Sequence, residues 1–315
     1  MATHQTAPTQ YITAADGIKY AYRRIGPSEG LPLVLHAWFR SNMDLWDPSL
    51  INNLAAKRPV IIFDQAGVGR SSGTIPTTYQ GWADCQINLT NALGINRYDV
   101  AGFSMGGLSA QLVALTAPHQ VRKLVLMATT AATPRGESDI SGIVWPREEA
   151  PPEFMEVLSS VEGTAADVKH AITHTFFYQT DAGREAARGW WNRVNERTVE
   201  APLLQLVNAE GTARQLEAIA HWTSPEKVDT YDRLGELKMP VLVLNGDDDV
   251  LVPTSRSWEL AKKISNSQLI IYPNAGHGFL FQYAELTAAH VNMFLDGFAG
   301  LHGDSTSIAG YVYKN

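Results

Sequence analysis

The chain has 315 residues, 45% of them hydrophobic, which is enough to bury a large core without a structural metal. Its 25 basic and 32 acidic residues give a net charge of -7, and no long basic run is present, so we expect no nucleic-acid partner. Cys85 is the only cysteine, which excludes an intramolecular disulfide and agrees with a reducing compartment.

The N-terminal end of the sequence shows no targeting signal. Its first ten residues lack the positive and apolar regions of a signal peptide, and no apolar run in the chain reaches the ~20 residues of a membrane span. We therefore expect a cytoplasmic protein with no membrane partner, and the sequence leaves its oligomeric state undecided. Residues 12–24, divided by the turn signal Asp16-Gly17, predict an antiparallel hairpin at a sheet edge.

Six short runs of aliphatic and β-branched residues follow the hairpin and alternate with helical stretches. They predict buried strands at residues 33–35, 60–63, 98–102, 123–127, 241–245 and 269–272. Continuous apolar strands separated by helices are typical of a parallel sheet that is covered on both faces. The predicted fold class is therefore α/β, with a mostly parallel sheet flanked by helices.

The regular alternation stops in the middle of the chain, where helix formers dominate. Helices are predicted at residues 153–161, 165–176, 184–196 and 213–222. We interpret residues 133–232 as a helical cap, or lid, inserted into a core made of residues 1–132 and 233–300. Residues 301–315 form a C-terminal tail whose order the sequence does not decide.

The main chemical signal is the motif G-F-S-M-G at residues 102–106, which lies between a predicted strand and a predicted helix. G-x-S-x-G in this context is a nucleophile elbow, in which glycines make room for a sharp, strained turn around the serine. The hydroxyl of Ser104 then lies at a helix N-terminus, where the helix dipole stabilises a developing anion. The motif predicts Ser104 as a nucleophile.

A serine hydroxyl needs a general base, and the base needs a third group to orient it. Downstream, an apolar strand runs into G-D-D-D-V-L-V-P at residues 246–253, and a later strand runs into N-A-G-H-G-F at residues 274–279. In open α/β sheets, sites form at the carboxyl ends of strands. The order serine, acid, histidine therefore predicts one acid of the run 247–249, together with His277, as the partners of Ser104.

Together these motifs resemble the serine-nucleophile branch of the α/β-hydrolase superfamily, over about residues 11–300. The resemblance implies an α/β-hydrolase fold with an inserted cap. It also places the acid at Asp249, four residues before a proline, and leaves Asp247 and Asp248 as alternatives that we interpret as solvated loop carboxylates. Among the nine histidines, only His36 rivals His277, and the resemblance makes His36 a structural residue before the oxyanion loop.

An oxyanion hole needs two backbone N–H donors. One is predicted at Met105, directly after the nucleophile. The other lies in the loop after His36, where this chain departs from the family's H-G-x-P pattern because no glycine follows the histidine. Counting back from the W-D-P sequence at residues 46–48 selects Phe39, and counting from His36 selects Trp38. We favour Phe39.

The remaining signals are weaker. The sequence D-Q-A-G-V-G-R-S at residues 64–71 resembles a family turn beside the elbow and lacks the lysine of a phosphate-binding loop. No cysteine and histidine cluster has metal-ligand spacing, so no metal or other cofactor is implied. Four aromatic residues of the predicted cap are candidates for a substrate pocket, namely Trp145, Phe177, Trp191 and Trp222.

These residues favour hydrolysis of a carboxylic ester or lactone of a small, largely apolar molecule through an acyl-enzyme on Ser104. Two other classes stay open. One is C–C bond hydrolysis, lyase or perhydrolase chemistry with the same triad, and the other is a non-hydrolytic receptor or biosynthetic protein on the same fold. Fold alone does not choose among them.

Overall fold

The computed structural model describes residues 1–131, 144–147, 149–160, 163–222 and 229–297. The predicted tail at 301–315 lies outside the described residues, and so does residue 133, where the predicted cap begins. No helix in these described ranges has the length and apolarity needed to cross a membrane.

Eight strands form one sheet in the order β1-β2-β4-β3-β5-β6-β7-β8. The strands are β1 (Gln10–Thr13), β2 (Lys19–Ile25), β3 (Leu33–His36), β4 (Val60–Phe63), β5 (Tyr98–Phe103), β6 (Val121–Met127), β7 (Val241–Gly246) and β8 (Ser267–Tyr272). β1 and β2 form the antiparallel hairpin predicted from the sequence, and β2 also pairs antiparallel with β4. From β4 to β8 every neighbouring pair is parallel.

All six predicted central strands are present, and each one covers the predicted residues and extends at most two residues beyond them. Every residue of β3, β4, β5 and β7 is buried, as expected for strands covered on both faces. The parallel pairing places the carboxyl ends of β3 to β8 along one edge of the sheet. Residues that follow these strands therefore meet at that edge.

Eleven α-helices lie among the described residues. They are α1 (Pro48–Ala55), α2 (Tyr79–Ala92), α3 (Met105–Thr116), α4 (Pro152–Ser160), α5 (Ala165–Thr175), α6 (Asp181–Val194), α7 (Ala209–Trp222), α8 (Asp229–Arg233), α9 (Thr254–Lys263), α10 (Phe279–Gln282) and α11 (Ala284–Asp296). Helix α3 is buried from Met105 to Leu115, packs against β5 and β6, and has α2 beside it. Helix α3 is therefore a buried central element, and Ser104 lies at its N-terminus.

Helices α4 to α8 lie between β6 and β7, where the sequence predicts an inserted helical segment. All four predicted helices of this segment are found, and the short α8 is additional. Their starts follow local capping: Thr164 and Asp167 form a capping box at α5, and the Thr180 hydroxyl accepts from Gly183 N–H at α6. The Thr180 cap explains why α6 begins at Asp181, three residues before the predicted start.

Candidate active site

Ser104 occupies the sharp turn between β5 and α3. Its φ of 54° and ψ of -122° lie outside the regions that ordinary L-residues favour, so the backbone is strained at this residue. The turn is held on two sides: Ser104 N–H donates to the Met127 carbonyl at 2.8 Å, and the Thr129 hydroxyl donates to the Ser104 carbonyl at 2.8 Å. The local geometry is that of the predicted elbow.

The glycines on either side of Ser104 are required by close contacts. A Cβ atom on Gly102 would lie 2.3 Å from the Gly106 carbonyl oxygen, and one on Gly106 would lie 2.4 Å from the His36 oxygen and 2.5 Å from the Ala37 oxygen. Such distances are far below van der Waals contact. Gly106 therefore lets the loop after β3 approach the start of α3.

His277 and Asp249 are in direct contact. The Nδ1 atom of His277 lies 2.7 Å from Oδ2 of Asp249, and both side chains are almost completely buried, with 1% and 0% of their surface exposed. The other carboxylate oxygen of Asp249 accepts the backbone N–H groups of Leu251 at 2.8 Å and Val252 at 2.9 Å. Three hydrogen bonds thus fix the carboxylate, and Asp249 is the acid of the G-D-D-D run that faces the histidine.

The other two acids of this run are half-buried and each has protein partners, so they are less solvated than the interpretation made from the sequence. The Asp247 carboxylate accepts hydrogen bonds from the backbone N–H groups of Asn274 at 2.9 Å and Ala275 at 3.0 Å, and from the Tyr178 hydroxyl at 2.9 Å. The Asp248 carboxylate forms a two-pronged ion pair with the Arg147 guanidinium. Both carboxylates therefore bind residues of other chain segments.

Aromatic rings surround His277. The Phe103 and Phe176 rings each lie 4.9 Å from the imidazole centroid, and the Phe176 ring meets the imidazole edge-on. Trp38 and Phe281 pack against the same two phenylalanines. This environment is apolar, so an electrostatic interaction such as that between Asp249 and His277 is weakened little by solvent.

His36, the rival histidine, is a buried neutral side chain at the end of β3. Its Nδ1 atom pairs with the Gln65 amide at 2.8 Å, and its ring meets Phe63 edge-on. Burial lowers its pKa to about 3, despite a small opposing effect of Gln86. These contacts are those of a structural histidine, and no carboxylate among the described residues pairs with it.

The predicted oxyanion donors lie in the expected loops. Trp38 and Phe39 follow β3 and are buried, and Met105 opens α3. In the described part of the chain, the backbone N–H groups of these three residues donate no hydrogen bond, whereas the next one, that of Arg40, donates to Gln215 at 2.8 Å. Trp38 and Phe39 both stay open as the second donor, and the preference for Phe39 stays a prediction.

Three of the four predicted pocket aromatics have a partner ring, and the fourth is buried. The partner rings are Trp258 for Trp145, Trp190 for Trp191 and Tyr79 for Trp222, and Phe177 is buried. None of the four makes a ring contact with His277 among the described residues. Their assignment to a pocket stays a prediction.

Sequence reasoning missed Phe176 and Asp247 as neighbours of the site. Phe176 stands at the C-terminal end of α5, and its carbonyl accepts the Gly278 N–H at 2.7 Å, so the inserted segment contacts the residue after His277. Burial, and then the hydrogen bond to Asp247, raise the pKa of the nearby Tyr178, which keeps its hydroxyl a donor. No local pattern signals either contact.

The turn after β4 supports the site from one side. Asp64 accepts the N–H groups of Met43 and Arg70, both at 2.8 Å, and a Cβ on Gly69 would lie 2.3 Å from its carboxylate. Burial raises the pKa of Asp64 to about 6. Within the described ranges, no three His, Cys, Asp or Glu side chains are grouped as metal ligands.

Comparison with known proteins agrees with the fold described above. A family model described as alpha/beta hydrolase fold matches residues 32–283. A solved structure described as an alpha/beta hydrolase fold protein from Chitinophaga pinensis is 32% identical to this chain, covers 94% of it and 100% of its own chain, and superposes with a TM-score of 0.80.

Two named relatives are among the similar sequences. A protein of Caulobacter sp. (strain K31) that carries the provisional name carbamate hydrolase RutD is 27% identical over 288 residues, which is 90% of this chain and 97% of its own. A non-heme chloroperoxidase of Streptomyces lividans is 29% identical over 282 residues, covering 87% of this chain and 95% of its own. The likeness thus spans nearly the full length of both relatives.

Proposed function

The chain belongs to the α/β-hydrolase family, and we propose that it hydrolyses a carboxylic ester or lactone of a small, largely apolar molecule through an acyl-enzyme on Ser104. The observation that carries the proposal is the buried contact of 2.7 Å between His277 Nδ1 and Asp249 Oδ2, on the same sheet edge as the strained Ser104 turn. That contact fixes the tautomer in which the other ring nitrogen, Nε2, accepts a proton.

The proposed reaction has two halves. First, His277 Nε2 takes the proton of the Ser104 hydroxyl while Oγ attacks the ester carbonyl, and the imidazolium then protonates the leaving alcohol. In the second half, His277 activates a water molecule that attacks the acyl-enzyme, and the acid product leaves with Ser104 restored. Asp249 holds the ring and stabilises its charged form in both halves.

The developing oxyanion would be bound by backbone donors. Met105 N–H is at the start of α3, where the helix dipole also favours negative charge, and the second donor is Phe39 or Trp38. Loss of one such donor typically costs about 10²–10³-fold in kcat. This arrangement acts on any acyl group and therefore does not itself select a substrate.

We propose an apolar substrate because the side chains around His277 are aromatic. Phe103 and Phe176 present aromatic surfaces next to His277, and Trp38 packs against both of them. Apolar walls with few polar anchors favour an apolar ligand. We further propose that the inserted helices act as a cap that bounds substrate size, because Phe176 belongs to them. Caps of this kind exclude water and complete a pocket.

The deciding experiment combines labelling with a substrate panel. A fluorophosphonate probe should label the wild-type protein and leave Ser104→Ala unlabelled. Esters and lactones of graded acyl size should then be compared with carbamates, C–C bond substrates and perhydrolysis conditions. Labelling together with turnover confined to a non-ester arm would keep Ser104 as nucleophile and reject the ester or lactone proposal.

A further inference from the structure

The loops that carry Asp249 and His277 are in direct backbone contact. A Cβ on Gly246 would lie 2.1 Å from the Ala275 oxygen and 2.4 Å from the Gly276 oxygen, so only glycine permits this approach at the end of β7. Two backbone hydrogen bonds cross the same junction, from Asp247 N–H to the Tyr272 oxygen at 3.0 Å and from Asp248 N–H to the Ala275 oxygen at 3.3 Å.

The Asp247 side chain completes this junction. One carboxylate oxygen accepts from Asn274 N–H and the other from Ala275 N–H, so both oxygens bind the loop that leads to His277. Asn274 has a φ of 52°, a left-handed conformation that Asn adopts more readily than most L-residues and that further contacts can stabilise. The Asp247 carboxylate supplies such contacts, through charge-assisted hydrogen bonds that are stronger than neutral ones.

The inserted helices reach the same junction. The Tyr178 hydroxyl, in the link between α5 and α6, donates to Asp247, and two residues earlier the Phe176 carbonyl accepts the N–H of Gly278. Asp247 therefore binds the start of the stretch from Asn274 to Gly278, and Phe176 binds its end. His277 lies between these two attachments.

We propose that Asp247 is a positioning residue, which holds the His277 loop in register with the Asp249 loop and couples this register to the inserted helices through Tyr178. The inference rests on the proposed function, since it takes His277 as the general base. Its physical basis is that the loop backbone sets the direction of the imidazole, while the Asp249 carboxylate is fixed independently by Leu251 and Val252. Loss of the Asp247 bonds would leave the acid in place and misdirect the base.

Asp248 provides a matched control, because it has the same charge and is adjacent in sequence. Its carboxylate binds the Arg147 side chain and makes no hydrogen bond to the His277 loop among the described residues. Its backbone bond to Ala275 survives any side-chain substitution. Asp248→Asn removes a charge at almost the same place without releasing the loop.

The kinetic test compares Asp247→Asn with Asp248→Asn on one hydrolysed ester across a range of pH. In Asp247→Asn, the new Nδ2 group faces N–H donors, and a displacement of the base by about 1 Å costs about 10²-fold in rate. We expect kcat to fall by about that factor with KM little changed, and the acidic limb of the kcat/KM profile to move to lower pH, because the imidazolium loses part of its stabilisation by Asp249. Asp248→Asn should keep the wild-type kcat and midpoint.

Two further variants separate positioning from general stability. Asp247→Glu keeps a carboxylate and should recover a substantial part of kcat, while Tyr178→Phe removes only the donor from the inserted helices and should shift the profile in the same direction by less. If Asp247→Asn lowers the melting temperature and the activity but leaves the pH midpoint at its wild-type value, the positioning role is overturned. An equal effect of Asp248→Asn would overturn it as well.

A readout without any substrate keeps this inference apart from the proposed function. The histidines can be labelled with ¹⁵N, and the low-field proton signal of the His277 Nδ1–H group, which donates to Asp249, can be assigned by its loss in His277→Gln. Asp247→Asn should move this signal to higher field, because a misdirected ring weakens the hydrogen bond to Asp249, and Asp248→Asn should leave it in place. If no ester or lactone is hydrolysed but this shift appears, the proposed function fails and the positioning role stands. An unchanged signal in Asp247→Asn would reject the positioning role whatever the substrate is.

Discussion

The carbonyl of Phe176 accepts the N–H of Gly278 at 2.7 Å, so a residue at the end of an inserted helix is bonded to the residue that directly follows His277. The ring of the same phenylalanine lies edge-on to the imidazole. Phe176 therefore links the inserted helices to His277 through a backbone hydrogen bond and a ring contact. Changes in the inserted segment are expected to affect the base as well as any pocket.

The first prediction concerns the nucleophile. Ser104→Ala should fold normally, because its backbone bonds to Met127 and Thr129 involve main-chain atoms of Ser104 that alanine keeps. We expect turnover to fall about 10⁴-fold or more on a good substrate, as measured by kcat. Retention of a tenth of the wild-type rate would contradict the assignment.

The second prediction concerns the acid. In Asp249→Asn, the amide can donate to His277 and favour the wrong tautomer, so kcat should fall by about 10⁴-fold while the fold is kept. The appropriate control is Asp248→Asn, whose carboxylate binds Arg147 instead of the histidine. If Asp248→Asn lowered kcat more than Asp249→Asn, the assignment of Asp249 would be wrong by one residue.

The third prediction concerns the four pocket candidates of the inserted segment. Single alanine variants of Trp145, Phe177, Trp191 and Trp222 should be compared on a short p-nitrophenyl ester and on a bulky ester or lactone. A residue that lines the pocket alters the ratio of the two kcat/KM values, whereas a packing residue lowers the melting temperature and leaves that ratio alone. Unchanged ratios in all four variants would show that these side chains belong to the core.

The fourth prediction concerns the contact of the oxyanion loop with α3. Gly106→Ala places a methyl group against the His36 and Ala37 carbonyl oxygens, so the loop must move away from Met105. We expect a lower melting temperature together with a kcat loss of about 10²-fold or more, because the two oxyanion donors separate. Gly235→Ala is the control, since nothing lies within 4 Å of its added Cβ and its backbone is unstrained. Equal behaviour of the two variants would reject the close approach.

The fifth prediction concerns stability at acidic pH. Burial lowers the pKa of His36 to about 3 in the folded protein, so below pH 6.5 the unfolded chain binds a proton that the folded chain does not. The free energy of unfolding therefore decreases as the pH is lowered below 6.5. The loss is about 1.4 kcal/mol per pH unit, or about 2 kcal/mol at pH 5. In His36→Asn this loss is absent, which urea titrations at pH 7 and pH 5 can measure.

Other groups also titrate between pH 7 and pH 5, but their effects on the free energy of unfolding cancel when wild type is compared with His36→Asn. Burial, and then Arg23, lower the pKa of His4 to about 4. His4 therefore changes the free energy of unfolding in the same direction as His36. Asp64 acts in the opposite direction, because a folded pKa of about 6 stabilises the fold as pH falls below that value. Both are present in wild type and in His36→Asn. An equal pH dependence of the two proteins would show that His36 is protonated in the folded state.

Much of the core could be predicted because its signals are local. The apolar runs at 60–63 and 98–102 coincide with β4 and β5, since buried parallel strands are apolar along their whole length. Ser104, Asp249 and His277 could be selected because each lies within five residues of the end of a strand and has a glycine within three positions. The register that brings Asp249 against His277 then follows from the pairing of β7 with β8.

The rest of the site depends on contacts that no local pattern encodes. Asp247 and Asp248 are identical in type and adjacent, yet one binds a backbone loop and the other an arginine 101 positions away. Phe176 and Phe177 are likewise neighbours, and only Phe176 meets the imidazole. Which of two adjacent side chains faces the site is decided by the tertiary placement of the inserted helices.

The order of the strands also has a consequence for protein synthesis. Ser104 follows β5, before the inserted helices, whereas Asp249 and His277 follow β7 and β8, the last two strands at one edge of the sheet. A nascent chain that has emerged from the ribosome only as far as β6 has its proposed nucleophile but neither the base nor the acid. Because long-range strand pairs form late in folding, the proposed hydrolytic activity should begin only after His277, beyond β8, has emerged from the ribosome.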